Sequence, residues 1–356
     1  MNIPITKNPA PKQKPLPGGQ ALPFGRLFTD HMLLMNYDKD QGWYDLRIEP
    51  YANFSLPPSA MVFHYAQEVF EGMKAYPVGD EGVSLFRPMD NLRRFNSSCR
   101  RLCIPEMPLE AVYQGLLTLI ELEKGWVPRD PGTSLYIRPT IIATEPALGV
   151  KASDSYLFYV ILSPVGAYYA NGFKPVRIVV EEEYTRAAPG GTGSVKCGGN
   201  YAGSILACAQ ASQKGFDQVL WLDAAERKYV EEVSSMNICF VIDGVLVTPA
   251  LGDTILPGIT RDSILQLAKE MGIPVEERKI SLAEVVAARA SGALQEAFGT
   301  GTAAVVSPVA SLTVEGEELL IGDGSTGPVT MKLHDTLTGI QRGETGLDHP
   351  WVVHIN

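Results

Sequence analysis

The sequence predicts an α/β protein, mixed with α+β character in its first half and built as two domains. Three observations carry that expectation. The 356 residues are more than one core of ordinary size organises. The second half alternates short apolar runs with longer stretches of helical period, the signature of strands and helices laid down in turn. Between 163 and 174 the composition shifts to Pro, Gly, Ala, Tyr and Asn, which suits a connector. The expected divisions are an extended or disordered N-terminal arm over 1–22, a small α+β domain over 23–164, a connector over 165–175 and a large domain over 176–356.

Residues 1–20 are rich in proline and lysine and lack the apolar core of a signal peptide. Short β-rich pieces follow at 31–36 and 60–65, punctuated by Gly42, Pro57 and Pro58, and a strand is expected at 83–86. Pro88 opens a helix in which Leu92, Phe95, Cys99 and Leu102 share one face, flanked by Arg93, Arg94, Arg100 and Arg101. A second helix covers 109–124, closed by Gly125 and Pro128. Strands are expected at Ser134–Ala143 and 156–163. The large domain then reads as strand 176–181, helix 201–214, strands 217–222 and 236–242, helix 259–271 and strand 273–278. A short helix at 282–288, strands at 294–299 and 303–306 and a last helix over Pro328–Gln341 complete it.

Composition narrows the function. At 45% hydrophobic and 20% charged the chain is ordinary globular protein, and its net charge of −10 speaks against a nucleic-acid binder. Five cysteines without a CxxC and five histidines without an HExxH indicate neither a disulfide framework nor a metal site. Reduced thiols suit a cytoplasmic protein. The longest apolar run, over 156–170, is interrupted by Pro164 and Gly166 and is too short to span a membrane.

The chemistry gathers in the second half. Gly190-Gly191-Thr192-Gly193-Ser194-Val195-Lys196-Cys197-Gly198-Gly199-Asn200-Tyr201 surrounds one lysine with five glycines. A phosphate-binding P-loop needs Ser or Thr after its lysine, and Cys197 stands there instead. A lysine that condenses with a carbonyl needs only a lowered pKa, supplied by burial and neighbouring charge. A solvated lysine on a surface loop is equally compatible with this stretch alone. Farther on, Glu231-Glu232-Val233-Ser234-Ser235-Met236-Asn237 offers a carboxylate able to face a protonated ring nitrogen or simply to end a turn. Leu256-Pro257-Gly258-Ile259-Thr260-Arg261 runs a turn straight into a helix, whose first N–H groups attract an anion. Phe298-Gly299-Thr300-Gly301-Thr302-Ala303-Ala304 repeats the mix of glycine and hydroxyl after a strand, either a tight turn or a second anion nest. One amine, one acid and two anion cradles in order are the needs of pyridoxal 5'-phosphate.

With Phe24-Gly25-Arg26-Leu27-Phe28-Thr29-Asp30-His31-Met32, Phe70-Glu71-Gly72-Met73-Lys74-Ala75, Ser134-Leu135-Tyr136-Ile137-Arg138-Pro139 and Glu145-Pro146-Ala147-Leu148-Gly149-Val150, these motifs make a series spanning almost the whole chain. In that series the sequence resembles the branched-chain amino acid aminotransferases, pyridoxal-phosphate enzymes of class IV. The resemblance implies the two-domain class IV fold with the cofactor at the domain interface, so that 176–356 would be the cofactor-binding domain. It implies that Lys196 carries the cofactor and moves the substrate proton, that Tyr201 bonds the cofactor hydroxyl and that Glu232 holds the ring nitrogen. Arg94, Ile259, Thr260 and Thr302 fall on the family's phosphate positions, and Ser235 joins the cofactor set. Tyr136 with the amides of Thr302 and Ala303 would take the substrate α-carboxylate, and Arg138 the side-chain carboxylate of glutamate. Phe24, Tyr65 and Tyr168 would wall an apolar pocket, with Leu148 and Val150 reaching in from the other subunit of a homodimer. The implied reaction moves the amino group of L-leucine, L-isoleucine or L-valine to 2-oxoglutarate. D-amino-acid aminotransferases and aminodeoxychorismate lyases share the fold, and a non-catalytic phosphate-binding module is the alternative outside enzymology. Animal members carry a redox CxxC where this chain has Ala304 and Ser307, so no thiol regulation is expected there.

Overall fold

In the computed structural model, residues 3–12, 14, 22–166, 173–344 and 348–355 are described. Positions 167–172 of the expected connector lie outside them. The chain forms two compact units, Met1–Tyr168 with Lys196–Gly198 and Gly339–Asn356, and Tyr169–Val195 with Gly199–Thr338.

The first unit contains β1 (His31–Asp38), β2 (Gly42–Pro50), α1 (Met61–Tyr65), β3 (Glu68–Phe70), β4 (Met73–Val78), β5 (Gly82–Phe86), α2 (Pro88–Arg101), α3 (Leu109–Glu123), β6 (Ser134–Ala143) and β7 (Ser155–Val165). Helix α2 buries Leu92, Phe95 and Cys99 completely, as its 3.6-residue stripe requires, while Leu102 lies just past its end and is half-buried. Residues 61–65, whose composition predicts β structure, form α1 instead. After Pro57 and Pro58 the amides of Ala60 and Phe63 close turns onto the carbonyls of Pro57 and Ala60, and Met61 is fully buried, so tertiary burial overrides the β propensity of Val62, Phe63 and Tyr65. The N-terminal arm runs against this unit. Ile5 pairs with Ile48, and the Asn8 and Lys12 amides donate to His31 Nε2 and Asp30 Oδ1 at 2.9 and 2.8 Å.

The second unit contains β8 (Val176–Val180), α4 (Gly198–Ala202), α5 (Ile205–Gln213), β9 (Gln218–Leu222), β10 (Val230–Val233), β11 (Met236–Ile242), β12 (Val245–Pro249), α6 (Ile259–Glu270), β13 (Val275–Arg278), α7 (Leu282–Ser291), β14 (Leu294–Gly301), β15 (Val305–Val314) and β16 (Glu317–Leu320). Helix α8 (Pro328–Gln341) leads to β17 (Val352–Ile355), which returns to the first unit and pairs with β5. The single helix expected over 201–214 is two, α4 and α5, broken at Gly203-Ser204, where glycine weakens the helix and the Ser204 hydroxyl bonds the Tyr201 carbonyl.

The first sheet is antiparallel, in the order β17-β5-β4-β6-β7-β1-β2, with β3 beside β6. The second runs β10-β9-β8-β15-β14-β11-β12-β13, and a further pairing of β10 with β11 closes six of its strands into a ring. Val176, Ile178, Leu220, Val233, Ile238, Phe240, Ala297 and Leu312 are among the residues that fill its core. The sequence does not predict the β10–β11 closure, because Val230-Glu231-Glu232-Val233 reads as a polar turn, yet all four residues are buried. Among the described residues no helix is long and apolar enough to cross a membrane.

Leu220 is wholly buried in β9. Leu220→Ala is expected to cost about 2–5 kcal/mol, seen as a lower urea midpoint. Glu317→Ala at an exposed position should stay within about 0.5 kcal/mol of wild type.

Candidate active site

Two groups of functional residues are built, one in each unit. In the first, Lys196 is tied at its backbone: its amide donates to Ser98 Oγ at 3.0 Å and its carbonyl accepts from the Phe70 amide at 3.0 Å. Its Nζ stands 4.8 Å from the centre of the Phe70 ring. Desolvation brings the amine down to about 8, with Arg94 and Arg138 acting in the same direction and Glu71 and Tyr136 against it. The lysine thus gives up its proton closer to neutral pH than a fully solvated lysine does, as carbonyl chemistry needs.

The neighbours of Lys196 come from β3, β6 and α2. Glu71, fully buried, receives a two-pronged bond from Arg94, Nε to Oε1 at 2.7 Å and Nη2 to Oε2 at 2.8 Å. Arg94, expected on a phosphate, therefore has a carboxylate partner that the sequence did not point to. Tyr136 and Arg138 lie two apart on β6 and so share a sheet face. Arg138 Nη2 donates to the Tyr136 hydroxyl at 3.2 Å, and its guanidinium sits 4.8 Å from the Phe70 ring centre. Its buried Nε has no hydrogen-bond partner among the described residues. Phe24 packs edge-on against Tyr136, ring centres 5.0 Å apart. Glu68 accepts from the Gly198 amide, and burial raises its carboxyl above the ordinary range against the pull of that amide and of Arg138.

Three other expected pocket residues stand at the surface of this unit. Tyr65 donates through its hydroxyl to the Leu148 carbonyl, and Leu148 and Val150 are 65% and 84% exposed. Tyr168 lies outside the described residues.

In the second unit Glu232 sits on β10 opposite Asn237 of β11, which in turn faces Thr300 of β14. One carboxylate oxygen accepts from Asn237 Nδ2 at 3.0 Å and the Leu256 amide at 2.9 Å. The other accepts from Arg186 Nε at 2.7 Å. An ionised carboxylate complements all three donors. Its neighbour Glu231 fares differently: burial raises its carboxyl despite the Thr254 hydroxyl at 2.6 Å and the charge of Arg186, and its Oε2 has no partner among the described residues.

Asn237 also fixes the start of α6. Its Nδ2 reaches the Leu256 carbonyl at 2.9 Å, and a Cβ on Gly258 would collide with its Oδ1, so only glycine fits there. The N-terminus of α6 has no side-chain cap, which leaves the N–H groups of Ile259 and buried Thr260 suited to an anion. Thr302 and Ala303 form the half-buried turn between β14 and β15, and Ser235 the exposed turn between β10 and β11. Tyr201 lies on α4.

In the first unit the lowered amine suits an aldehyde; in the second, the carboxylate that accepts from Asn237, Leu256 and Arg186 suits a protonated ring nitrogen and the uncapped helix start suits a phosphate. The orphaned Nε of Arg138 suits a carboxylate. Three residues escaped the sequence: Glu71, Asn237 and Arg186. Glu71 and Asn237 stood inside quoted motifs without a role, and Arg186 carried no signal, since its partners are remote in the chain.

The family model described as amino-transferase class IV matches residues 68–312. Branched-chain-amino-acid aminotransferase 2 of Bacillus subtilis is 54% identical over 343 residues, covering 96% of this chain and 94% of that one. The crystal structure of the Escherichia coli branched-chain amino acid aminotransferase superposes with a TM-score of 0.74 at 30% identity, over 86% of this chain and 96% of that one. The T.th. branched-chain amino acid aminotransferase complexed with N-(5'-phosphopyridoxyl)-L-glutamate gives a TM-score of 0.74 at 28% identity, over 91% and 98%.

The lowered amine sets the pH of its reactivity. Reductive trapping of Lys196 by an aldehyde and borohydride, followed by peptide mass spectrometry, should rise with pH to a midpoint near 8. A midpoint above 10, that of a solvated lysine, contradicts the environment described.

Proposed function

The chain belongs to the branched-chain-amino-acid aminotransferases of class IV, and from that premise we propose how its residues carry out the transamination. It transfers the amino group of L-leucine, L-isoleucine or L-valine to 2-oxoglutarate, giving the branched 2-oxo acids and L-glutamate. The observation that carries the reading is the amine of Lys196, lowered to about 8 beside the Tyr136–Arg138 pair.

Pyridoxal 5'-phosphate, the cofactor we assign, would supply an electron sink and a carrier for the amino group. Lys196 would hold it through its amine and would carry the proton to and from the substrate Cα. Glu232, fixed by Arg186, Asn237 and the Leu256 amide, keeps a proton on the ring nitrogen. Tyr201 bonds the ring hydroxyl, and Arg94, Ser235, Thr302 and the amides of Ile259 and Thr260 hold the phosphate end. Tyr136 and the amides of Thr302 and Ala303 take the α-carboxylate.

One pocket must accept both an apolar side chain and that of glutamate. Arg138 suits this double task, because its cation rests on Phe70 and the Tyr136 hydroxyl when no carboxylate is present. Phe24, Tyr65 and Tyr168 supply the apolar wall. Leu148 and Val150, apolar and highly exposed, support a homodimer in which each copy lends them to the other's pocket. The five free cysteines suit the cytoplasm.

A coupled assay with each amino acid against 2-oxoglutarate tests the reading. Leucine, isoleucine and valine should all turn over with ping-pong kinetics, within roughly a thousandfold of one another, since a methylene in an apolar pocket is worth about 1–3 kcal/mol. Turnover of D-alanine without L-leucine would move the chain to the D-amino-acid enzymes. Glu232→Gln should keep bound cofactor yet lose most turnover, and wild-type turnover in that variant would refute the role of Glu232.

A further inference from the structure

Arg186 lies in the loop after β8, and its side chain is only 7% exposed. Its three nitrogens donate to three different segments: Nε to Glu232 Oε2 at 2.7 Å, Nη1 to the Thr254 carbonyl at 2.8 Å and Nη2 to the Gly193 carbonyl at 3.0 Å. Those segments are the strand bearing the acid, the loop entering α6 and the glycine loop that ends at Val195, one residue before Lys196.

The two loops touch backbone to backbone. A Cβ on Gly193 would fall 2.5 Å from the Thr254 carbonyl oxygen, the Ser194 amide donates to the Asp253 carbonyl at 2.9 Å, and the Gly190 amide reaches Asp253 Oδ2 at 2.5 Å. A planar fork is the side chain that spans two carbonyls and a carboxylate at once, whereas a lysine ammonium on its flexible stem is a point charge.

We infer that Arg186 is a positioning residue for the transamination, aiming the Glu232 carboxylate and fastening to it the loops that lead to Lys196 and to α6. The inference rests on the function proposed above. The geometry separates two adjacent acids on β10: Glu232 is held by a cation and two neutral donors, while one oxygen of Glu231 has no partner among the described residues. Arg186 therefore acts through Glu232, and its loss alters the ring nitrogen's partner without removing any group that touches the substrate.

The test is a double-mutant comparison of Arg186→Lys, Glu232→Gln and the pair, each as holoenzyme. Three quantities are read: cofactor retained after dialysis, the pH midpoint of the bound cofactor's absorbance band, and turnover of L-leucine. Arg186→Lys keeps the charge and loses the fork. It should retain wild-type far-ultraviolet circular dichroism, lose turnover roughly 10- to 100-fold and move the midpoint in the same direction as Glu232→Gln. Added to Glu232→Gln, it should lower turnover less than about twofold further, because the group it positions is already altered. An unshifted midpoint, or the same fold-loss in both backgrounds, overturns the inference and leaves Arg186 a structural residue. Arg186→Met is the harsher variant, and should it fail to fold, the lysine series still decides. A wild type that holds no cofactor and leaves L-leucine untouched overturns the aminotransferase reading itself, an outcome distinct from either result with Arg186.

Discussion

An amine attacks a carbonyl through its neutral form, and in the first unit burial disfavours the protonated form of Lys196. Lowering Lys196 from 10.5 to about 8 represents about 3 kcal/mol set against the ammonium. Desolvation does most of it, with Arg94 and Arg138 adding repulsion and Glu71 limiting the effect. The same neighbours serve twice. Arg94 is anchored by the Glu71 carboxylate, and the Arg138 guanidinium rests against the Phe70 ring and the Tyr136 hydroxyl.

In the second unit a carboxylate is held in one orientation by surrounding donors. Glu232 stands on the strand that closes the six-stranded ring, and β10 and β11 meet there through only two residue pairs, Glu232 with Asn237 and Val233 with Met236. Placing the acid on a strand rather than a loop fixes its backbone, and the hydrogen bonds of Asn237, Leu256 and Arg186 fix its carboxylate. Glycine is required where these pieces meet, at Gly193 against Thr254 and at Gly258 against Asn237. The glycine density of the lysine loop thus has a packing cause as well as a chemical one.

Reading the chain alone singled out candidate groups whose signals are local. A lysine among glycines, an acid followed by serines, and a Pro-Gly turn entering a helix each announce themselves within a few residues. Regular helices such as α2, α3 and α6 were legible for the same reason, since a 3.6-residue stripe is a property of the segment itself. Less legible were α1, the strand β10 and the return of β17 to the first sheet. At α1 and β10 propensity is overridden where Met61 and the Glu231-Glu232 pair are buried beside residues distant in the chain, whereas β17 is β-prone and only its partner β5 is remote.

By itself the sequence determined the kind of protein and the order of its motifs, and it singled out an amine and an acid as candidates, because those depend on residue type and near neighbours. Only the tertiary structure decided the state of those groups. The depressed amine of Lys196, the pairing of Arg94 with Glu71, the contrast between Glu231 and Glu232 and the three-way grip of Arg186 all arise from side chains far apart in the chain. Charge and desolvation act through space, and their sum at a given atom exists only once the chain has folded.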